Sequence, residues 1–304
     1  MSIEITEPGV YPGISDEEYH SDPVPAGSLS HTGARHMLQS PAWFRYRQAH
    51  REVSKPFDVG HAVHAKVLGV GTKVVTIPEE LLDARGGISR KDCKAWIEDA
   101  RSQDLVPLKP GEWYPVERMA EAILGHPTAK ALLEQPGDPE ASVFAVDPET
   151  EEWMRARFDY LPHPGKSRTI AVDIKTTRKS ADPRRFRNSV ASYGYHQQDP
   201  WYRDALKLAR GDDAVVTFVT VESYEPWLVS VSQLSATAVE KGRELNRAAL
   251  DRWHHCRTTG LWPAYGEDIH VIDLPTWALM EEVLEDDLED RSEEHTSELQ
   301  SHLN

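Results

Sequence analysis

The sequence predicts a mixed α/β protein in which a central sheet is flanked by helices. Three observations lead there. Helix-type segments occupy most of residues 28–135. Three β-rich segments follow at 140–146, 152–160 and 168–174, with turn sequences between them. A further apolar strand, AVVTFVTV at 214–221, comes only after two more helical stretches. Helices, a run of strands, helices and strands again make a sheet covered by helices.

Each element has a local reason. Residues 1–27 are rich in Pro and Gly and lack apolar periodicity, so they read as an extended N-terminal arm with turns. Ser28 or Ser30 can cap a helix bearing Leu29, Ala34, Met37 and Leu38, and SPAWFRY at 40–46 restarts one with Pro41 at its first position. GHAVHAKVLG at 60–69 sets Ala62, Val63, Val67 and Leu68 on an apolar side. KVVTIP at 73–78 is β-rich, a polar stretch at 91–104 is of helical type, and 114–134 closes the helical part. EASVFAV, EWMRARFDY and RTIAVDI, joined by DPET and PHPGKS, then read as an antiparallel meander. Two helices, the strands AVVTFVTV and WLVSVS, and a long helix over about 232–259 complete the chain. With no internal repeat or low-complexity linker, the expected organisation is the arm (1–27), one domain over 28–280 and an acidic tail over 281–304. Within that domain a helical part (28–135) precedes a sheet core (136–260).

Composition narrows the function. The 304 residues are 39% hydrophobic and 28% charged, with a mean hydropathy of -0.56, as in a soluble globular protein. No apolar run approaches the ~20 residues of a membrane span, and the N-terminus lacks the basic and apolar regions of a secretion signal. Two cysteines, Cys93 and Cys256, exclude a disulfide framework and any four-thiolate cluster. A reducing, cytoplasmic setting is expected. The net charge of -16 argues on its face against a polyanion partner, yet RKSADPRRFR at 178–187 is strongly basic while EEVLEDDLED at 281–290 is strongly acidic. A globally acidic chain can still hold a basic groove. The segment RSEEHTSELQSH at 291–302 resembles the translation of a sequencing-library adapter and is set aside, with the natural C-terminus expected to be missing beyond about Asp290.

The chemistry gathers at RARFDYL and AVDIKTT. Asp159 closes one candidate strand, Asp173 lies near the end of the next, and Lys175 follows two residues on, facing the same side of the strand as Asp173. If the strands are antiparallel neighbours, Asp159 comes close to Asp173. Carboxylates gathered in this way are hard oxygen ligands for Mg²⁺, and a nearby lysine can orient a water and stabilise charge developing on a phosphate. Asp-x-Lys alone is commonplace at strand ends. The apolar context of TIAVDI separates this one, because acidic side chains are seldom buried without a partner or a metal.

With GHAVHAKVLG, Glu140 ahead of RARFDYL, AVDIKTT and YGYHQQDPWY in this order, and SLSHTGARHMLQSPAWFRY before them, the chain resembles a known family over roughly residues 8–260. It is similar to the phage and prophage exonuclease VIII (RecE-type) nucleases of the PD-(D/E)xK superfamily, relatives of the RecB nuclease domain. The resemblance implies a restriction-endonuclease-like core and a metal-dependent exodeoxyribonuclease that digests one strand of linear double-stranded DNA from the 5′ end without ATP. It further implies two Mg²⁺ ions, with Mn²⁺ able to substitute, a homo-oligomeric ring around the duplex, and a single-strand annealing recombination protein as partner. In this likeness His64, Glu140, Asp159, Asp173 and the Ile174 carbonyl hold metal, and Lys175 positions the nucleophile. Gln198 and Tyr202 match a Q-x-x-x-Y motif interrupted by Pro200, which stands to kink the helix that would carry them. His61 falls outside the motif position and reads as structural. Thr176, Thr177, Arg178, Lys179, Arg184, Arg185 and Arg187 follow the catalytic strand and suit phosphate contact. Two other readings stand beside this one: a RecB-like nuclease of other polarity, and a catalytically inactive DNA-binding or assembly module.

Overall fold

A computed structural model describes residues 3–50, 59–70, 73–103, 105–165, 167–266 and 268–275. The chain divides into two compact units, Met1–Ala264 and Tyr265–Asn304. The predicted acidic tail (281–304) and the last residues of the predicted domain (276–280) lie outside the described residues. In the second unit the described residues form no helix or strand.

The first unit is built on one seven-stranded sheet. Its strands are β1 (Gly9–Tyr11), β2 (Ser28–Ser30), β5 (Gly137–Val146), β6 (Trp153–Pro162), β7 (Thr169–Thr177), β8 (Ala214–Glu222) and β9 (Val229–Ser232). The order is β1-β5-β6-β7-β8-β9, with β2 pairing β6 off this path. The β5, β6 and β7 strands run as the antiparallel meander the turns predicted, whereas β7 and β8 are parallel. The intervening helices α8 (Pro183–Tyr193) and α9 (Tyr195–Arg210) supply the crossover that a parallel pair needs. A separate parallel pair joins β3 (Lys73–Thr76) to β4 (Leu105–Leu108).

Both faces of the sheet are covered. Ala171, Val216 and Phe218 enter one core with Trp201 and Leu206 of α9 and with Leu250 and Trp253 of α10 (Ala236–Thr259). Val172, Ile174, Val219 and Val221 enter the other, against Ala62 and Val63 of α4 (Val59–Leu68) and Met119 and Ile123 of α6 (Pro110–Gly125). Alternate residues of β7 and β8 thus serve opposite cores, and every residue of β8 is buried.

The helical part forms as its caps predict. Ser30 accepts from Gly33 N to cap α2 (His31–Gln39), and Ser40 accepts from Trp43 N to cap α3 (Pro41–Ala49). The first 27 residues depart from the extended reading. Gly9–Tyr11 adds to the sheet edge beside β5, and Ser15 and Glu18 form a capping box for the short helix α1 (Asp16–His20). Ile5, Ile14, Tyr19 and Val24 bury themselves on Phe144. Their irregular spacing gives no helix or strand period, which is why the sequence hid them.

Pro200 sits inside a continuous α9. Proline removes the N–H that would have bonded the His196 carbonyl. Gly242 of α10 packs directly on that carbonyl, and the Asn246 amide donates to the Gln197 carbonyl at 3.0 Å. The defect is absorbed by the neighbouring helix.

Candidate active site

The site begins where β6 and β7 meet. One bridging pair, Tyr160 with Val172, joins them, and this register sets Asp159 level with Asp173. On the other side of β6, Pro139 opposes Tyr160 and Ala141 opposes Phe158, which leaves Glu140 level with Asp159. Strand alternation slips at this point: Met154, Ala156 and Phe158 enter one core and Tyr160 enters the other. Glu140 adopts the left-handed region at φ 49. Such irregularities re-aim side chains. Here the Asp159 carboxylate accepts the Ile174 N–H at 2.6 Å, replacing a backbone ladder bond.

Asp173, 2% exposed, is held from two directions. Lys175 Nζ lies 2.5 Å from its Oδ2, and Gln198 Nε2 donates to its Oδ1 at 2.6 Å. Burial pushes the Asp173 carboxyl up to about 6, Lys175 pulls against that shift, and Asp159 adds to it. For Lys175, burial disfavours the charge, but Asp173 and Asp159 override it and hold the ammonium above its ordinary pKa. Lys175 is therefore the cation of the pair. His64, from α4, bridges the gap: its Nε2 is 3.0 Å from the Ile174 carbonyl and its Nδ1 is 3.6 Å from Asp159.

Not every residue expected here arrives. Glu140 is level with Asp159, but its carboxylate accepts from Arg157 at 2.8 Å. Arg157 also donates to the Ile14 and Ser15 carbonyls, so Glu140 is tied to the N-terminal segment rather than gathered with Asp159 and Asp173. Gln198 reaches the site, and Tyr202, one turn on, is buried behind it against His31 and Phe158 at ring separations of 5.8 and 5.0 Å, where its hydroxyl feels Gln198 and the Asp173 and Asp159 carboxylates. Burial holds its hydroxyl well above the usual phenol range. Between them Asp199 is wholly buried and paired with Arg203, an i, i+4 ion pair the sequence reading passed over.

A cleft of about 850 Å³ opens beside Lys175. Thr176, Thr177, Arg178 and Lys179 line it with Ile174, opposite His61 and His64. Arg184 and Arg185 sit on α8 outside the lining, exposed, with Arg184 bonded to Asp182. Two aromatic rings missed by the sequence reading complete the wall. Tyr193 and Tyr195 flank the left-handed Gly194 that ends α8 and begins α9, and Lys175 Nζ lies 4.8 Å over the Tyr195 ring. The signal was the symmetric Tyr-Gly-Tyr in an otherwise polar stretch.

Among the described residues no three His, Cys, Asp or Glu side chains gather into a ready ligand set. The donors present are nonetheless of the right kind for one hard cation. Mg²⁺ is commonly held by one or two carboxylates and keeps several waters, and Asp159, Asp173 and the Ile174 carbonyl offer two carboxylates and a neutral oxygen where β6 and β7 meet.

Comparison with known proteins bears on the family and the fold. A family model described as a PDDEXK-like domain of unknown function (DUF3799) matches residues 30–275. A crystal structure from Eubacterium rectale, named as a candidate exonuclease, is similar at a TM-score of 0.55 and 11% identity, covering 87% of this chain and 96% of that one. At that identity the likeness shows the fold: a restriction-endonuclease-like mixed α/β sheet flanked by helices. A second solved structure, SSO0001, covers 61% of this chain and 84% of that one at 12% identity, but its TM-score of 0.24 supports no argument. No curated protein matches the chain.

Proposed function

The chain belongs to the PDDEXK-like domain family, and from that membership we propose that it is a divalent-metal-dependent exodeoxyribonuclease acting on linear double-stranded DNA. The observation that carries the proposal is Asp159 level with Asp173 across β6 and β7, with Lys175 against Asp173 at the wall of an open cleft.

In this reading Asp159, Asp173 and the Ile174 carbonyl hold the cation. When bound, it supplies charge neutralisation at the phosphate and an acidified water. The protein's own residues do the rest. Gln198 fixes the Asp173 carboxylate through Oδ1, which leaves Oδ2 to Lys175. The Lys175 ammonium, held charged, orients the attacking water and stabilises negative charge on the phosphate oxygens. His64 secures the Ile174 carbonyl. Thr176, Thr177, Arg178 and Lys179 take the flanking phosphates.

The order of the motifs supports the exonuclease VIII type: digestion from the 5′ end with Mg²⁺ or Mn²⁺, and a ring of subunits around the duplex. Its product, an exposed 3′ strand, suits a single-strand annealing recombination protein in the cytoplasm of a phage-bearing host.

Nucleotide release tests the proposal. Linear duplex should be digested with Mg²⁺ and no ATP, covalently closed circles spared, and EDTA or Lys175→Ala should abolish the reaction. Equal digestion of the closed circle would overturn the exonuclease assignment, and undiminished hydrolysis by Lys175→Ala would overturn the site.

A further inference from the structure

We propose that Tyr193 is a base-stacking residue: it receives an unpaired nucleobase next to the scissile phosphate, while Lys179 takes the adjoining backbone phosphate. The inference rests on the nuclease reading and deepens it, from where hydrolysis occurs to how the strand is held there.

Tyr193 is the last residue of α8 and is 49% exposed although it lines the cleft. Its ring lies 5.7 Å from the ring of Tyr195, on which Lys175 sits, and Lys179 Nζ lies 5.7 Å over Tyr193. Reactive lysine, inner ring, outer ring and second lysine therefore form a continuous row leading away from Asp173. The inner ring is closed off by packing on Phe186 and Phe218. Among the described residues the outer ring has no such cover, and an exposed aromatic beside a cation is the composition of a single-strand platform.

The row is pre-set rather than loose. Gly194, at φ 74, turns the chain so that the two rings fall side by side. A Cβ there would stand 2.5 Å from Arg35 Nε, so Arg35 fills the space that only glycine leaves. On the opposite wall Thr177 Oγ1 accepts the Lys179 N–H at 3.0 Å, and Tyr224 donates to the Lys179 carbonyl at 3.2 Å. Glu222, buried, accepts from Ser180 Oγ and Ala181 N just beyond. Among the described residues Lys179 has no acidic partner, so its ammonium is free to exchange the ring face for a phosphate. Paired bases inside a duplex keep both faces in the stack and only the end pair shows one, so a side ring beside the scissile phosphate suits a nucleotide that has left the stack.

The experiment compares Tyr193→Ala, Tyr193→Trp and wild type on linear duplexes that carry one abasic site, walked through the terminal nucleotides of the digested strand. Wild type should slow by roughly tenfold when the abasic site reaches the stacking position. Tyr193→Ala should show that loss on intact DNA and be indifferent to the abasic site, while Tyr193→Trp should keep wild-type behaviour. A parallel arm in EDTA follows 2-aminopurine placed at the same position, whose fluorescence wild type and Tyr193→Trp should quench and Tyr193→Ala should not. If no protein digests DNA yet the quench depends on residue 193, the nuclease reading fails and the stacking assignment stands. If digestion proceeds and the abasic site slows wild type and Tyr193→Ala equally at every position, or quenching is the same in both, the stacking assignment is refuted.

Discussion

Gly242→Ala offers a sharp test of how the helices hold the site, because two physical expectations for it have opposite signs. Gly242 lies inside α10, where replacing glycine by alanine ordinarily stabilises a helix by about 1 kcal/mol. The packing predicts the reverse. A Cβ at this position would stand 1.7 Å from the His196 carbonyl oxygen and 2.7 Å from Pro200 Cγ. A close C–H to oxygen contact needs about 3.3 Å, so α9 and α10 must part by something over 1 Å. Parting costs about 1–3 kcal/mol in overpacking strain and endangers the Asn246 bond to the Gln197 carbonyl, worth about 1 kcal/mol. Set against about 1 kcal/mol of helix propensity, the net expectation is destabilisation by about 1–3 kcal/mol, seen as a Tm lower by roughly 2–10 °C. Because Gln198 follows the displaced carbonyls, activity at temperatures where the protein remains folded should fall as well. Thermal or urea unfolding measures the first effect. A variant as stable as wild type, or more stable, would refute the claim that α10 seats on the proline-interrupted turn.

Three further outcomes follow. Gln198→Ala leaves the buried Asp173 Oδ1 without its donor, costing about 1–3 kcal/mol; hydrolysis should fall at least tenfold and its half-saturating Mg²⁺ concentration should rise in a metal titration. Glu140→Gln should reduce hydrolysis less than fivefold, because the carboxylate is engaged with Arg157; a thousandfold loss in the same assay would mean that Glu140 leaves Arg157 to join the site. Asp199, whose carboxyl burial pushes up to about 6 against the pull of Arg203, binds its proton in the folded state at pH values where the unfolded chain has released it. Stability from this residue is therefore present at low pH and lost as pH rises from about 4 through about 6, by something on the order of 2 kcal/mol. Comparing Tm at pH 4 and pH 6.5 should show that decline in wild type relative to Asp199→Asn.

Much of this was legible in the sequence where local physics is strong. The serines before α2 and α3, the β-rich runs of β5 to β8 and the turns DPET and PHPGKS each marked an element that forms. Asp159, Asp173 and Lys175 could be grouped because strand period and antiparallel pairing bring them together with no knowledge of the helices. What failed to show depended on contacts distant in the chain. Glu140 matched a ligand position, but its fate is decided by Arg157 and by the carbonyls of residues 14 and 15. Pro200 looked like a break in the helix, and no local signal could reveal that Gly242 and Asn246 would accommodate it.

The net charge of -16 and a DNA substrate are reconciled by where charges are paired. Arg155 with Asp22, Arg243 with Asp204, Arg247 with Asp147 and Arg257 with Glu152 neutralise one another in place. Arg178 and Lys179 in the cleft, and Arg35 at the Gly194 turn, have no carboxylate partner among the described residues. A cleft with low-dielectric walls focuses the field of such charges, so local sign outweighs the global sum for a strand entering it. Behind Lys175, which lines the cleft, the balance differs. Asp159 and Asp173 lie together with Lys175 committed to Asp173, which leaves negative charge where a phosphate must approach. A divalent cation on those carboxylates would remove that repulsion, which gives the proposed metal requirement an electrostatic reason independent of the family likeness.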